Sequence, residues 1–210
     1  MTSISNKIKW NNRLIFVLKI ICVFLLVPFV GTLLHELGHY AVAILSGYQA
    51  QIHFNYTTST IPAFSEPLLY FIFILGGPIS TWMLCLIPFA ILLILYNKNS
   101  KREILHNQFL NKGFIVLLFF VSMAGRFIFT AITYIITRSN AIDEYKMADY
   151  FNIYPETFLI LFLVVSLIIL IITIYKIPTN YRLFTILGAL SGATVGYLLW
   201  NNLIGPLLLP

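Results

Sequence analysis

Charge is what this sequence has least of. Only 10% of its 210 residues are Asp, Glu, Lys or Arg, against about a quarter in soluble domains. Hydrophobic residues make up 60%, and the mean hydropathy is +0.91. This excludes a soluble globular domain and puts any function inside a lipid bilayer or at its edges. The length allows about five helical spans of roughly 20 residues with short connections, leaving no room for a separate soluble domain. Cysteine is equally scarce. Cys22 and Cys85 fall in separate apolar stretches, which excludes both a disulfide framework and a closely spaced cysteine metal site. Repeats, low-complexity tracts and Gly/Ser linkers are absent, so one membrane-embedded unit over residues 1–210 is expected, with a core at about 14–152 and accessory spans at about 157–204. The net charge of +6 would point to nucleic acid in a soluble chain. Here it reports orientation, and no nucleic-acid partner is expected.

The expected fold class is an all-α polytopic membrane protein with about five transmembrane helices and a short strand or hairpin between the first two. The apolar segments run from Leu14 to about Ser46, Leu68 to Tyr96, Gly113 to Thr137, Thr157 to Tyr175, and Leu183 to Leu203. The first exceeds one crossing, and Pro28 is the expected bend. With a cytoplasmic N-terminus, the inner segments hold Lys7, Lys9, Arg13, Lys19, Lys98, Lys101, Arg102, Lys112, Lys176 and Arg182, whereas the outer loops hold only Arg138 and Lys146. The positive-inside rule favours that orientation. All acidic residues except Glu103 then lie toward the outer side. The basic start followed by an apolar run resembles a signal peptide, but no small-residue cleavage site follows it. Trp10, Trp82 and Trp200 are scattered, and Trp10 fits an interfacial anchor.

Against this apolar background stands His35-Glu36-Leu37-Gly38-His39, an H-E-x-x-H pattern. On a helix the two histidines lie one turn apart on one face, so both imidazoles can reach one divalent metal. Glu36 flanks the site and can take a proton from an activated water. Placing Glu36 in a bilayer costs about 2.5–3.5 kcal/mol at mid-membrane, so it needs a compensating partner, and a bound zinc ion would supply one. Solvation of a helix end at the outer interface is the plain alternative. Gly38 is read as a helix-packing residue.

In a membrane helix, followed by Gly76-Gly77-Pro78 in the next span, this motif resembles the site-2-protease-like family of intramembrane zinc metallopeptidases. The resemblance covers roughly the first 150 residues in motif order. It implies a Zn2+ cofactor, Glu36 as the catalytic acid/base, and a third zinc ligand from an Asp in a later segment. In that family the Gly-Pro motif usually ends in Asn, where this chain has Ser80, and the Asp commonly sits in Leu-Asp-Gly. No Asp-Gly occurs here, and the nearest counterpart is Asn140-Ala141-Ile142-Asp143. The pattern looks more like the divergent bacterial and archaeal branch.

A catalytic zinc usually takes three protein ligands and leaves one position open. Topology puts His106 and Glu103 on the wrong side of the membrane. Asp143, just after the third span and at about the depth of His35, is the preferred third ligand, with Glu144 and Asp149 as alternatives. A competing role for the segment is a capping box, Asn140 with Asp143, opening a short helix to about Asn152. Arg126, deep in a span, requires a partner, either an outer carboxylate or a carbonyl near Gly76, and is read as half of a structural ion pair. Gly76, Gly77 and Pro78 are expected to break the second helix and shape a cleft. Gln51 to Thr57 alternates like a half-buried strand, putting His53 and Asn55 among possible cleft residues. Such an edge, or a simple interfacial hairpin, would lie on the zinc side, and similar strands accompany the active site in the family.

The expected activity is zinc-dependent hydrolysis of peptide bonds in membrane-spanning or membrane-adjacent polypeptides, with the bilayer as the only other partner. A metal transporter or sensor would need a polar path through the membrane, which spans four and five lack. A catalytically silent relative that binds membrane helices is the other rival.

Overall fold

The computed structural model describes the backbone of residues 2–98 and 112–210, and side-chain surroundings for 14–96 and 113–210. The expectations for Trp10 and for the basic loop around Lys101, Glu103 and His106 lie outside the described residues.

The described residues are mostly helical. Helix α1 (Thr2–Leu25) is followed by α2 (Val27–Leu45), a two-stranded hairpin of β1 (Ala50–Ile52) and β2 (Thr57–Ser59), and α3 (Pro67–Lys98). Then come α4 (Lys112–Val121), a 3-10 turn (Ser122–Ala124), α5 (Gly125–Thr137) and the short α6 (Asp143–Tyr150). Helices α7 (Thr157–Lys176) and α8 (Thr179–Leu199), a π turn and the last turn α9 (Gly205–Leu208) complete it. Among the described residues, five stretches are long and apolar enough to cross a bilayer: Leu14–Leu45, Pro67–Tyr96, Gly113–Thr137, Thr157–Lys176 and Thr179–Leu208. The chain is a multi-pass membrane protein. Its exposed Leu and Ile side chains are those expected to face lipid, for example Ile94, Ile136, Ile171 and Leu190.

The bend in the first span falls at Leu26, with Pro28 in the first turn of α2. Proline lacks an N–H and collides with the carbonyl four residues earlier, so it is tolerated at a helix start and interrupts the helix before it. The Gly76-Gly77-Pro78 segment behaves differently from expectation. Helix α3 runs through it, and through Pro88, without interruption. The hydroxyls of Ser80 and Thr81 both donate to the Gly77 carbonyl, at 2.8 and 3.2 Å. The missing Pro78 N–H frees the Ile74 carbonyl, a lapse a transmembrane helix tolerates where it is buried in protein, as Pro78 is.

Glycine sets two helix crossings. Gly38 of α2 lies against Gly76 of α3, and a Cβ on Gly76 would sit 2.6 Å from the Gly38 carbonyl oxygen. Only backbone on backbone fits there, which draws α2 and α3 together as small residues do in membranes. Gly188, Gly192 and Gly196 of α8 do the same against α1, at Ile20, Ile21 and Leu25. Between them, Phe16, Ile20 and Phe24 of α1 join Cys85 and Leu92 of α3, Leu118 and Val121 of α4, and Ile169 of α7 in the main core. Cys85 is buried in that core and Cys22 is exposed.

Of the two forms expected between the first spans, a strand or a hairpin, the structure has the hairpin. β1 and β2 pair antiparallel, Gln51 opposite Thr58 and Ile52 opposite Thr57, and residues 53–56 form the connection. Helix α6 opens at Asp143, but Ile142 holds the N-cap position without a side-chain cap bond, so Asn140 does not cap it. The helix ends at Tyr150 rather than Asn152, whose backbone is left-handed (φ 51°), a conformation asparagine tolerates.

Candidate metal centre

Helix α2 supplies two ligand atoms because residues 35 and 39 are one turn apart. His35 and His39 are buried, 1% and 4% exposed, with Nε2 atoms 3.3 Å apart. Asp143, at the start of α6, brings Oδ2 to 2.9 Å from His35 Nε2 and 3.1 Å from His39 Nε2. These three residues form the one His/Cys/Asp/Glu group, among the described residues, whose ligand atoms converge enough to hold a metal ion. Glu144 is buried beside it and Asp149 is exposed, and neither joins the group.

The donor set fits a tetrahedral ion. Zinc with ligands at about 2.0–2.1 Å has ligand atoms about 3.3 Å apart, close to the triangle seen here. Tautomers argue the same way. His39 Nδ1 donates to the Phe73 carbonyl at 2.7 Å, and a carbonyl can only accept. Thr81 Oγ1 gives its proton to Gly77, so it accepts from His35 Nδ1 at 3.0 Å. Both neutral rings then direct Nε2 lone pairs at a carboxylate oxygen. Three acceptors at such distances repel unless a cation or an added proton lies among them. Gly77 leaves the room: a Cβ there would be 2.5 Å from His35 Nε2 and would overlap His39 Nε2.

Glu36 is buried (2% exposed) and turned toward two partners. The Thr57 hydroxyl, from β2, lies 3.0 Å from Oε2 and 3.1 Å from the Glu36 carbonyl oxygen. Arg126 of α5 brings Nη2 to 3.7 Å from Oε1, and its Nη1 lies 3.5 Å from Thr32 Oγ1. The partner of Arg126 is therefore Glu36, not a carbonyl near Gly76.

On α6, burial alone would raise the Asp143 carboxyl. Once a proton lies among the three groups, the imidazoles of His39 and His35 outweigh burial and hold the group well below the usual carboxylate range. For Glu144, burial reinforced by the charge of Asp143 outweighs the opposing charges of Arg126 and His39 and pushes it up to about 7. The Asp143 side chain is 19% exposed, so the site has an open edge.

Other expected cleft residues are placed differently. Gly76 serves the α2–α3 crossing, Gly77 faces the imidazoles, and Pro78 is buried within α3. His53 stacks on Tyr56 and hydrogen-bonds the Pro210 carbonyl, outside the metal group. Asn55 is exposed and lines a separate cavity. From this segment it is Thr57 that reaches Glu36. Thr81, the Phe73 carbonyl and Thr57 were not singled out from sequence. The available signal was the i+4 spacing of Thr81 from Gly77. No protein-family model, curated protein or solved structure matches the chain.

Proposed function

We propose that this chain is an intramembrane zinc metallopeptidase that hydrolyses peptide bonds in membrane-spanning or membrane-adjacent polypeptides. The observation that carries the reading is the convergence of His35 Nε2, His39 Nε2 and Asp143 Oδ2 beside Glu36, within a chain of apolar helices. The order of H-E-x-x-H, Gly-Gly-Pro and a later Asp supports kinship with the site-2-protease-like family. His35, His39 and Asp143 would hold the zinc, which when bound polarises a carbonyl and makes water a nucleophile near neutral pH.

The protein's own groups do the remaining work. Glu36 takes a proton from the attacking water as the new C–O bond forms, and passes it to the amine nitrogen as the C–N bond breaks. Peptide plus water becomes acid plus amine, and Glu36 ends as it began. Thr57 fixes the carboxylate through Oε2, and Arg126 offsets its charge in the bilayer. The hairpin that carries Thr57 offers a strand edge to an unwound substrate. Lys176 and Arg182 at the turn between α7 and α8, with Lys19 early in the first span, support a cytoplasmic N-terminus, with the metal group toward the outer half.

The test compares membrane proteomes of cells carrying wild type or Glu36→Gln, with zinc measured in both purified proteins. The expected outcome is a membrane protein that accumulates uncut with the variant while zinc content stays the same. A wild-type protein that purifies without zinc, and whose metal content is unmoved by His35→Ala, would refute the assignment.

A further inference from the structure

A cavity of about 660 Å3 begins one helical turn below Glu36. Gly31 and Thr32 of α2 form its back, Arg126 and Thr133 of α5 one wall, and Ala189 and Ala193 of α8 the other. It also touches Ile132 and Leu190, which are 49% and 61% exposed, so the cavity opens sideways toward lipid between α5 and α8. At its outer end Phe129 and Tyr197 stack across that opening, ring centroids 5.2 Å apart.

Its dimensions favour a helix. Along α8 the lining extends from Thr185 to Tyr197, about 18 Å at 1.5 Å per residue. The mean cross-section is then about 37 Å2, roughly half that of a helix about 10 Å across, so a helix would lie half in the trough and half against lipid. Wall chemistry points the same way. The hydroxyls of Ser122, Thr130, Thr173 and Thr185 all donate back to carbonyls of their own chain segment. An extended peptide would bring carbonyls that these four hydroxyls leave unpaired, whereas a helix satisfies its own backbone. Gly125 has nothing within 4 Å of a would-be Cβ, and Gly31 meets only Met123 at 4.0 Å, so small residues leave room for close helix approach.

We propose that this trough seats one membrane-spanning α-helix of the polypeptide substrate, with the helix end delivered to Glu36 through Thr32 and Arg126. The inference rests on the peptidase reading but is tested apart from it. Full-length Glu36→Gln protein in phosphatidylcholine nanodiscs is mixed with a synthetic Leu/Ala helix of about 20 residues carrying photo-leucine, then illuminated, and adducts are mapped by mass spectrometry. Adducts should concentrate on Ile132, Leu190 and Ala193. Gly125→Leu and Ala193→Phe, which fill the trough, should each cut the yield about tenfold with zinc content unchanged, whereas Leu161→Phe on another lipid face should not. Adducts spread over all spans, a yield indifferent to both filling variants, or a co-purifying phospholipid in place of the peptide would overturn the proposal. Peptide seated in the trough of a protein that never cleaves refutes the hydrolase reading alone. Cleavage with the peptide crosslinked elsewhere refutes the trough alone.

Discussion

Replacing Gly77 by alanine should empty the metal site while leaving the helices intact. An alanine Cβ would lie 2.5 Å from His35 Nε2 and closer still to His39 Nε2. Ordinary contact requires about 3.4 Å, so both rings must retreat by roughly 1 Å, beyond the ~0.5 Å over which a ligand constellation keeps its geometry. Each ring is also tied at Nδ1, to Thr81 and to Phe73, so a retreat breaks those bonds as well. Losing an orienting bond alone typically costs 10–100-fold in metal affinity, and about 100-fold or more is expected here. The assay is zinc per protein by elemental analysis, with affinity from chelator competition and helicity from circular dichroism in detergent. Gly125→Ala, where a Cβ meets open space, is the matched control and should bind as wild type. Gly76→Ala should differ in kind, because its Cβ meets the Gly38 carbonyl and pushes whole helices apart, which lowers thermal stability. A Gly77→Ala protein that binds zinc with wild-type affinity would refute the geometry of the site.

Other outcomes follow from the same contacts. Asp143→Asn should release zinc whereas Asp149→Asn should not, a difference read by elemental analysis of the purified proteins. Thr81→Val should weaken zinc about 10–100-fold while Thr81→Ser restores it, because only the hydroxyl matters to His35. Gly196→Ala, driven into the Leu25 carbonyl, should cost about 1–3 kcal/mol in stability without changing zinc affinity, measured by thermal melts beside chelator competition.

The parts of this site that the sequence discloses are those set by local periodicity. His35, Glu36 and His39 can be read at once because a helix converts a spacing of four into a shared face. Asp143 is far along the chain, and it is singled out by membrane depth and by its place as the nearest counterpart of the Asp in the family the chain resembles. Thr81 and the Phe73 carbonyl are hidden for a different reason. They reach the imidazoles because α2 and α3 touch at Gly38 and Gly76, a crossing that no one-dimensional pattern states. Pro78 misleads, since its propensity argues for a broken helix while its burial among neighbouring helices lets α3 continue. The alternation over 51–57 leaves strand and hairpin both open because it continues through the connection at 53–56, and Thr57 starts the second arm.

The distribution of buried charge leads to one more expectation. Glu36 and Asp143 bring two carboxylates into a cluster whose one guanidinium, Arg126, sits 3.7 Å from Glu36 and makes no contact with Asp143. Asp143 instead meets two rings whose Nδ1 protons are already committed. Two imidazoles give Asp143 less counter-charge than a divalent ion would, so the folded chain should gain stability when such an ion binds among the three side chains. Zinc at about 1,000 times its dissociation constant stabilises by about 4.1 kcal/mol. For a chain of this size that corresponds to a rise of about 8–16 °C in thermal midpoint. The rise should shrink as pH falls, because the imidazoles take up protons that compete with the metal. Asp143→Asn removes the charge that calls for the ion, so its midpoint should respond little to zinc or to chelator. A wild-type midpoint that zinc leaves unmoved, or an equal shift in Asp143→Asn, would show that these three side chains do not share an ion.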